Sequence, residues 1–159
     1  MDAVSTFEAL APVSDAYADL PVGRAFTWDD VSDTVPSGEW YMVAFRSVRA
    51  PDADEAMLTW YDDRAHAEAA SAPGFVHYFK GPIGEGGRCM SFCLWTSRAD
   101  AREAASRPLH AAAASIVREM YASYTLEFHR VTKADGGGFT FEPYDPVNGG
   151  RTRRSAAHA

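Results

Sequence analysis

Among the residues of this chain that could do chemistry, His110 has the most unusual neighbourhood. It lies in RPLHAAAASIVREMY, residues 107–121, where an imidazole is followed at once by four alanines. A neutral imidazole beside so little side-chain volume could face a cavity that admits a flat ligand. There it would act as a base, a hydrogen-bond donor or an axial metal ligand. The alternative is a surface histidine near a helix start, with alanines that let the helix pack close to a sheet.

The remaining candidates sit on strand-like segments. In RCMSFCLWT, 88–96, alternation places Ser91, Cys93 and Trp95 on one face and Met90, Phe92 and Leu94 on the other. The small serine and cysteine leave space beside an indole, where a phenolic or quinone-like molecule would stack; plain core is the competing reading. Cys93 is not a convincing nucleophile, since no nearby base or helix N-terminus is evident to lower its pKa. Arg46 interrupts an apolar strand and could anchor a carboxylate or enolate, or pair with an acid across a dimer interface. His77 and Phe79, in FVHYFKG, complete the expected substrate-binding set. Glu127 and His129 share a strand face and could join His77 in a metal site. That spacing is unspecific, a paired polar patch at a dimer seam explains it as well, and no metal is expected. GPIGEGG lacks the Lys-Ser/Thr ending and the following helix of a phosphate loop.

These residues need elements to hold them. Residues 1–38 read as a lead-in punctuated by Pro12, Pro21 and Pro36, with short helical turns in VSTFEALA and SDAYADL and docking aromatics in FTWDDV. EWYMVAFRSVR, 39–49, reads as a first strand, and Pro51 ends it. DEAMLTWYDDRAHAEAA is a first helix, capped by Asp52 or Asp54, whose apolar stripe joins Met57, Trp60 and Tyr61 to Leu58, Ala65 and Ala69. FVHYFKG (75–81) and RCMSFCLWT form a hairpin. A short helix follows Ser97, and a second long helix restarts at Pro108. TLEFHRVTK, 125–133, is the fourth strand and FTFEPY a candidate edge strand. The tail from Asp145 to Ala159 is expected to be mobile.

Composition removes several classes. A chain of 159 residues with 47% hydrophobic and 13% aromatic content folds as one domain with a real core. A net charge of −7 argues against a nucleic-acid partner. Met1 to Leu20 carries acids and no basic segment, so it does not read as a secretory signal. No apolar run reaches bilayer length, so no membrane association is expected. On one strand face Cys89 and Cys93 stand about 13 Å apart, too far to bridge. Reduced thiols suit a cytoplasmic protein.

The order β-α-β-β-α-β is the ferredoxin-like arrangement, an α+β fold with a four-stranded antiparallel sheet and two helices on one face. Its strands are apolar on both sides: Trp40, Met42 and Ala44 oppose Tyr41, Val43 and Phe45. Helices cover one face. The other asks for a second copy, so a homodimer is expected, with a body at 39–133 and a tail at 134–159.

Over 39–133 the chain resembles the dimeric α+β-barrel superfamily, which includes antibiotic-biosynthesis-monooxygenase-like proteins and haem-degrading monooxygenases. SFCLWTSRADAREAASRPLHAAA carries the resemblance: a strand ending in Trp95, then Ser97, a short helix, and a second helix bearing His110. The resemblance implies a dimeric barrel enclosing a small-molecule ligand. It implies a monooxygenase-like oxidoreductase acting on a small, largely apolar, aromatic-like metabolite, either cofactor-free or with haem on His110. The haem-degrading pattern itself is broken, because its ligand position falls on Ala113 and the short helix lacks a tryptophan. The alternative is a non-catalytic barrel that binds a small ligand or haem, and a third possibility is a purely structural dimerisation domain.

Overall fold

The computed structural model describes residues 7–144, apart from the side chains of 116–118, and the backbone of 153–154. Besides short helical turns at Tyr17–Asp19, Val22–Ala25, Trp28–Val31 and Glu85–Gly87, the elements are β1 (Gly38–Arg49), α1 (Glu55–Ala70), β2 (Phe75–Phe79), β3 (Arg88–Trp95), α2 (Arg98–Ala105), α3 (Pro108–Met120), β4 (Tyr121–Lys133), β5 (Phe139–Pro143) and β6 (Arg153–Arg154). All strand pairs are antiparallel, in the order β2-β3-β1-β4-β5, with β6 also on β4. This is the α+β, ferredoxin-like fold expected from the sequence, extended by β5. Of the tail from Asp145 onward, expected to be mobile, all but Arg153–Arg154 lies outside the described residues.

Local chemistry sets the element ends. The Asp54 carboxylate accepts from the Met57 amide at 3.0 Å and starts α1. Ser97 Oγ accepts from the Asp100 amide at 3.1 Å and starts α2. Between α1 and β2, Gly74 takes a φ of +82°, and a Cβ there would run into the Asp100 carboxylate. At the fourth strand YASY belongs to β4 rather than to the preceding helix, because Tyr124 and Ser123 pair with Ser47 and Val48.

The two faces of the sheet are covered differently. Helices α1, α2 and α3 lie over one face. The other is covered by the chain's own lead-in, which corrects the reason for expecting a second copy there. Phe7, Tyr17, Phe26 and Trp28 are buried against Met42, Met90, Phe92 and Leu94 in one continuous core. Trp28 fits among Phe92, Phe139 and Phe141, with ring centres 5.6, 5.1 and 4.9 Å away. Its indole N–H donates to the Val22 carbonyl at 3.0 Å. Tyr17 hydroxyl donates to Pro82 O at 2.7 Å and accepts from the Met90 amide at 3.2 Å, tying the lead-in to β3. Each buried aromatic side chain contributes about 2–3 kcal/mol by leaving water.

The stripe expected on α1 is also corrected. Leu58 alone is buried, while Met57 and Trp60 are exposed. The Trp60 ring is covered instead by the Arg64 guanidinium at 3.9 Å. Among the described residues no helix is long and apolar enough to cross a membrane.

Candidate functional site

On the face under the lead-in, the central side chains Met42, Ala44, Phe92 and Leu94 are at most 1% exposed. On the opposite face of the same strands, Val43, Phe45, Cys93, Leu126 and Phe128 all keep accessible surface beneath the helices. The reason lies in α1 and α3. They pack mainly on each other and meet the sheet chiefly at β2 and the start of β4. A sealed core forms at one end of this face, where Tyr41 and Trp95 meet Ala72, Ala101 and Ala104. This side of the sheet is thus an apolar, aromatic floor only partly covered by the helices, and the space between them is the candidate cleft. Tyr121 and Tyr124 close one side, their rings 5.3 and 5.2 Å from Phe45.

Two polar features face this floor. The Trp95 indole N–H donates to Cys93 Sγ at 3.1 Å. Burial nevertheless pushes the thiol up to about 11, so Cys93 is a neutral thiol at pH 7 and not a nucleophile. On the β2 side, the Tyr78 hydroxyl donates to Asp62 Oδ1 at 3.0 Å, and Lys80 Nζ stands 3.3 Å from Asp62 Oδ2. Burial, and then the Asp62 charge, hold the Tyr78 phenol far above its usual range. It remains a donor, and it holds the Asp62 carboxylate beside the β2 edge of this face.

His110 stands in the first turn of α3. Its backbone amide and that of Leu109 donate to the two carboxylate oxygens of Glu68, at 3.1 and 3.3 Å, so α1 caps α3. The residue is exposed, yet desolvation by its neighbours lowers its pKa against the opposing pull of Glu68. Among the described contacts none joins its ring to Trp95 or Cys93.

The sheet divides the rest of the expected set. Trp95 and Cys93 meet at the cleft, whereas His77, Phe79 and Arg46 lie on the lead-in side. His77 is buried against Phe7 and Phe92, with ring centres 6.1 and 6.2 Å away. Its Nε2 has no hydrogen-bond partner among the described residues, and burial pushes its pKa down to about 4, so it is a neutral core histidine. Phe79 packs on Phe26 at 4.8 Å and on Phe92 at 5.6 Å. Arg46 Nε donates to Glu127 Oε2 at 2.5 Å, and its Nη1 donates to Ala18 O at 2.8 Å. The acid lies within the same chain.

Glu127 also accepts from His129 Nε2 at 3.1 Å. Burial opposes its charge, but the hydrogen bonds of His129 and Arg46 outweigh it and hold the carboxyl below its usual range. His77 cannot join this pair, since two strands separate β2 from β4, about 14 Å at 4.8 Å per strand. Among the described residues no three His, Cys, Asp or Glu side chains come together as a metal site. Sequence reasoning missed Tyr78 and Asp62 altogether. Their contact spans the α1–β2 turn, and an irregularity between Phe75 and His77 hides which face Tyr78 takes.

Residues 3–143 match a family model described as PB2B2.08-like. The chain belongs to the PB2B2.08-like family. No curated protein matches it. Among solved structures, Rv0793 from Mycobacterium tuberculosis is 20% identical, covering 60% of this chain and 96% of its own at a TM-score of 0.50. SnoaB, a cofactor-independent oxygenase from Streptomyces nogalater, is 21% identical and covers 58% of this chain and 90% of its own, with a TM-score of 0.45. A dimeric protein of unknown function and ferredoxin-like fold from Bacteroides fragilis is 17% identical, covering 56% and 93%, with a TM-score of 0.44. At these identities the resemblance to the antibiotic-biosynthesis-monooxygenase-like superfamily is one of fold. Rv0793 leaves about two fifths of this PB2B2.08-like chain without a counterpart.

Proposed function

We propose that the protein is a monooxygenase-type oxidoreductase that binds a small, largely apolar, aromatic-like molecule in the cleft between the sheet and α1 and α3. One observation carries this reading: the middle of the sheet is sealed on one side and open, apolar and aromatic on the other. A flat molecule with an acidic phenol or enol would lie on Val43, Phe45 and Phe128, with Trp95 and Cys93 at its end. Asp62, held by Tyr78 and Lys80, would take the proton. The substrate anion would then be the reductant of oxygen, and the protein's work would be to position it and to stabilise charge.

The residues at the cleft do not fit a haem. His110 makes no contact with Trp95 or Cys93 among the described residues, and Ala113, one turn further, has no donor atom. The non-catalytic reading is favoured by Cys93, whose thiol burial moves further from the thiolate that a nucleophile needs.

The domain organisation we propose is a lead-in at 1–38, a ferredoxin-like body at 39–133 and a tail at 134–159. Two unpaired thiols, Cys89 and Cys93, suit a reducing cytoplasm. Homodimerisation would have to use a surface other than the face under the lead-in.

Oxygen uptake with 1,4-naphthohydroquinone and with simple phenols separates the two readings. The enzyme reading expects uptake faster than in buffer and about a hundredfold slower in Asp62→Asn. Saturable quenching of tryptophan fluorescence without added uptake would leave a binder. Neither uptake nor quenching with any compound would remove both.

A further inference from the structure

The Arg46–Glu127–His129 chain has no part in the cleft, for it lies on the other side of the sheet. Beside it is an open depression of about 390 Å³, walled by Pro21, Val22, Gly23 and Arg24 of the lead-in and by Glu127, His129, Phe141 and Pro143 of β4 and β5. That volume is at the low end for small-molecule sites. The two walls meet because residue 23 is glycine: a Cβ there would approach the Phe141 ring to 2.7 Å. We propose that this depression binds a small aromatic hydroxy acid, its carboxylate on Arg24, its hydroxyl on His129, and its ring against Phe141 and Pro143.

The chemistry follows from how the charges are already matched. Glu127 is neutralised by Arg46, which is itself held by Ala18 O, so the inner wall has little net charge to offer an anion. Arg24 is exposed and forms no ion pair among the described residues. It brings one positive charge to the rim, enough for a carboxylate and poorly matched to a phosphate dianion. His129 is oriented by its neighbour. An ionised Glu127 can only accept, so the neutral form of His129 places its hydrogen on Nε2 and leaves the lone pair on Nδ1. Nδ1 makes no hydrogen bond among the described residues. A lone pair repels a second carboxylate and accepts an O–H, which makes the expected ligand a carboxylate at one end and a hydroxyl at the other.

The test titrates the full chain with 4-hydroxybenzoate, benzoate, phenol and inorganic phosphate by calorimetry. Saturable binding is expected for 4-hydroxybenzoate, weaker for benzoate, and weakest for phenol and phosphate. Arg24→Gln, a surface change that leaves the fold intact, should weaken both carboxylates by about tenfold or more. His129→Phe should weaken 4-hydroxybenzoate until it binds no better than benzoate. Glu127→Gln, which frees the imidazole to choose either tautomer, should reduce the same preference and act as the second variant should His129→Phe misfold. Absence of saturable binding, binding unchanged in Arg24→Gln, or phosphate binding as tightly as 4-hydroxybenzoate would each overturn the proposal.

Discussion

Replacing Trp28 by alanine tests whether the lead-in is part of the folded core or a decoration on it. The indole is 3% exposed and touches Phe26, Phe92, Phe139 and Phe141, so it joins the lead-in to β3 and to β5. Removing a buried tryptophan costs about 3–5 kcal/mol, the transfer of the ring plus the cavity left behind. The Val22 carbonyl also loses its donor, which adds about 1 kcal/mol if water does not replace it. A central value of about 4 kcal/mol lowers the melting temperature of a domain this size by about 8–16 °C. Thermal unfolding followed by far-UV circular dichroism reads the shift. Met57→Ala, on the exposed side of α1, is the control and should move stability by no more than about 0.5 kcal/mol. If Trp28→Ala melts within a degree or two of that control, the lead-in does not hold the sheet and the account of that face fails.

Three further outcomes follow from the same geometry. Deleting residues 1–37 bares Met42, Phe92 and Leu94, so the shortened chain should self-associate in sedimentation where the intact chain does not do so through this face; an unchanged sedimentation coefficient per chain would contradict it. His77 has a folded pKa near 4, below the ordinary histidine value, so the unfolded chain binds more protons between the two. Stability is full above about pH 6.5 and falls as the pH drops toward 4, by about 3 kcal/mol in all, and His77→Phe should flatten that limb of a urea-denaturation series. Haem added to the protein should give no Soret shift that His110→Ala abolishes; such a shift would restore the iron-ligand role.

How much of this was legible depended on whether the signal was periodic. The strands and their two apolar faces could be read because alternation is local: Trp40, Met42 and Ala44 against Tyr41, Val43 and Phe45. The source of cover for the second face could not, because Phe7, Tyr17, Phe26 and Trp28 are spaced irregularly among prolines and follow no helical or strand period. On α1 the periodic stripe misled, since a cation over Trp60 can replace burial. Alternation also placed Cys93 and Trp95 on one face of β3, where they meet. It could not say that His77, Phe79 and Arg46 lie through the sheet from them, because that depends on the register of three strands and on the irregularity in β2. The Arg46–Glu127 pair spans 81 positions and becomes visible only when β1 and β4 are laid side by side.

A chain that carries its own second layer escapes mass action at that surface. Closure of its greasiest face is an intramolecular event, with a local concentration fixed by the tether and untouched by dilution. Expression level, subunit exchange and mixing with near relatives then leave each molecule's interior intact, and the cleft on the far side can be inherited, altered or lost one copy at a time.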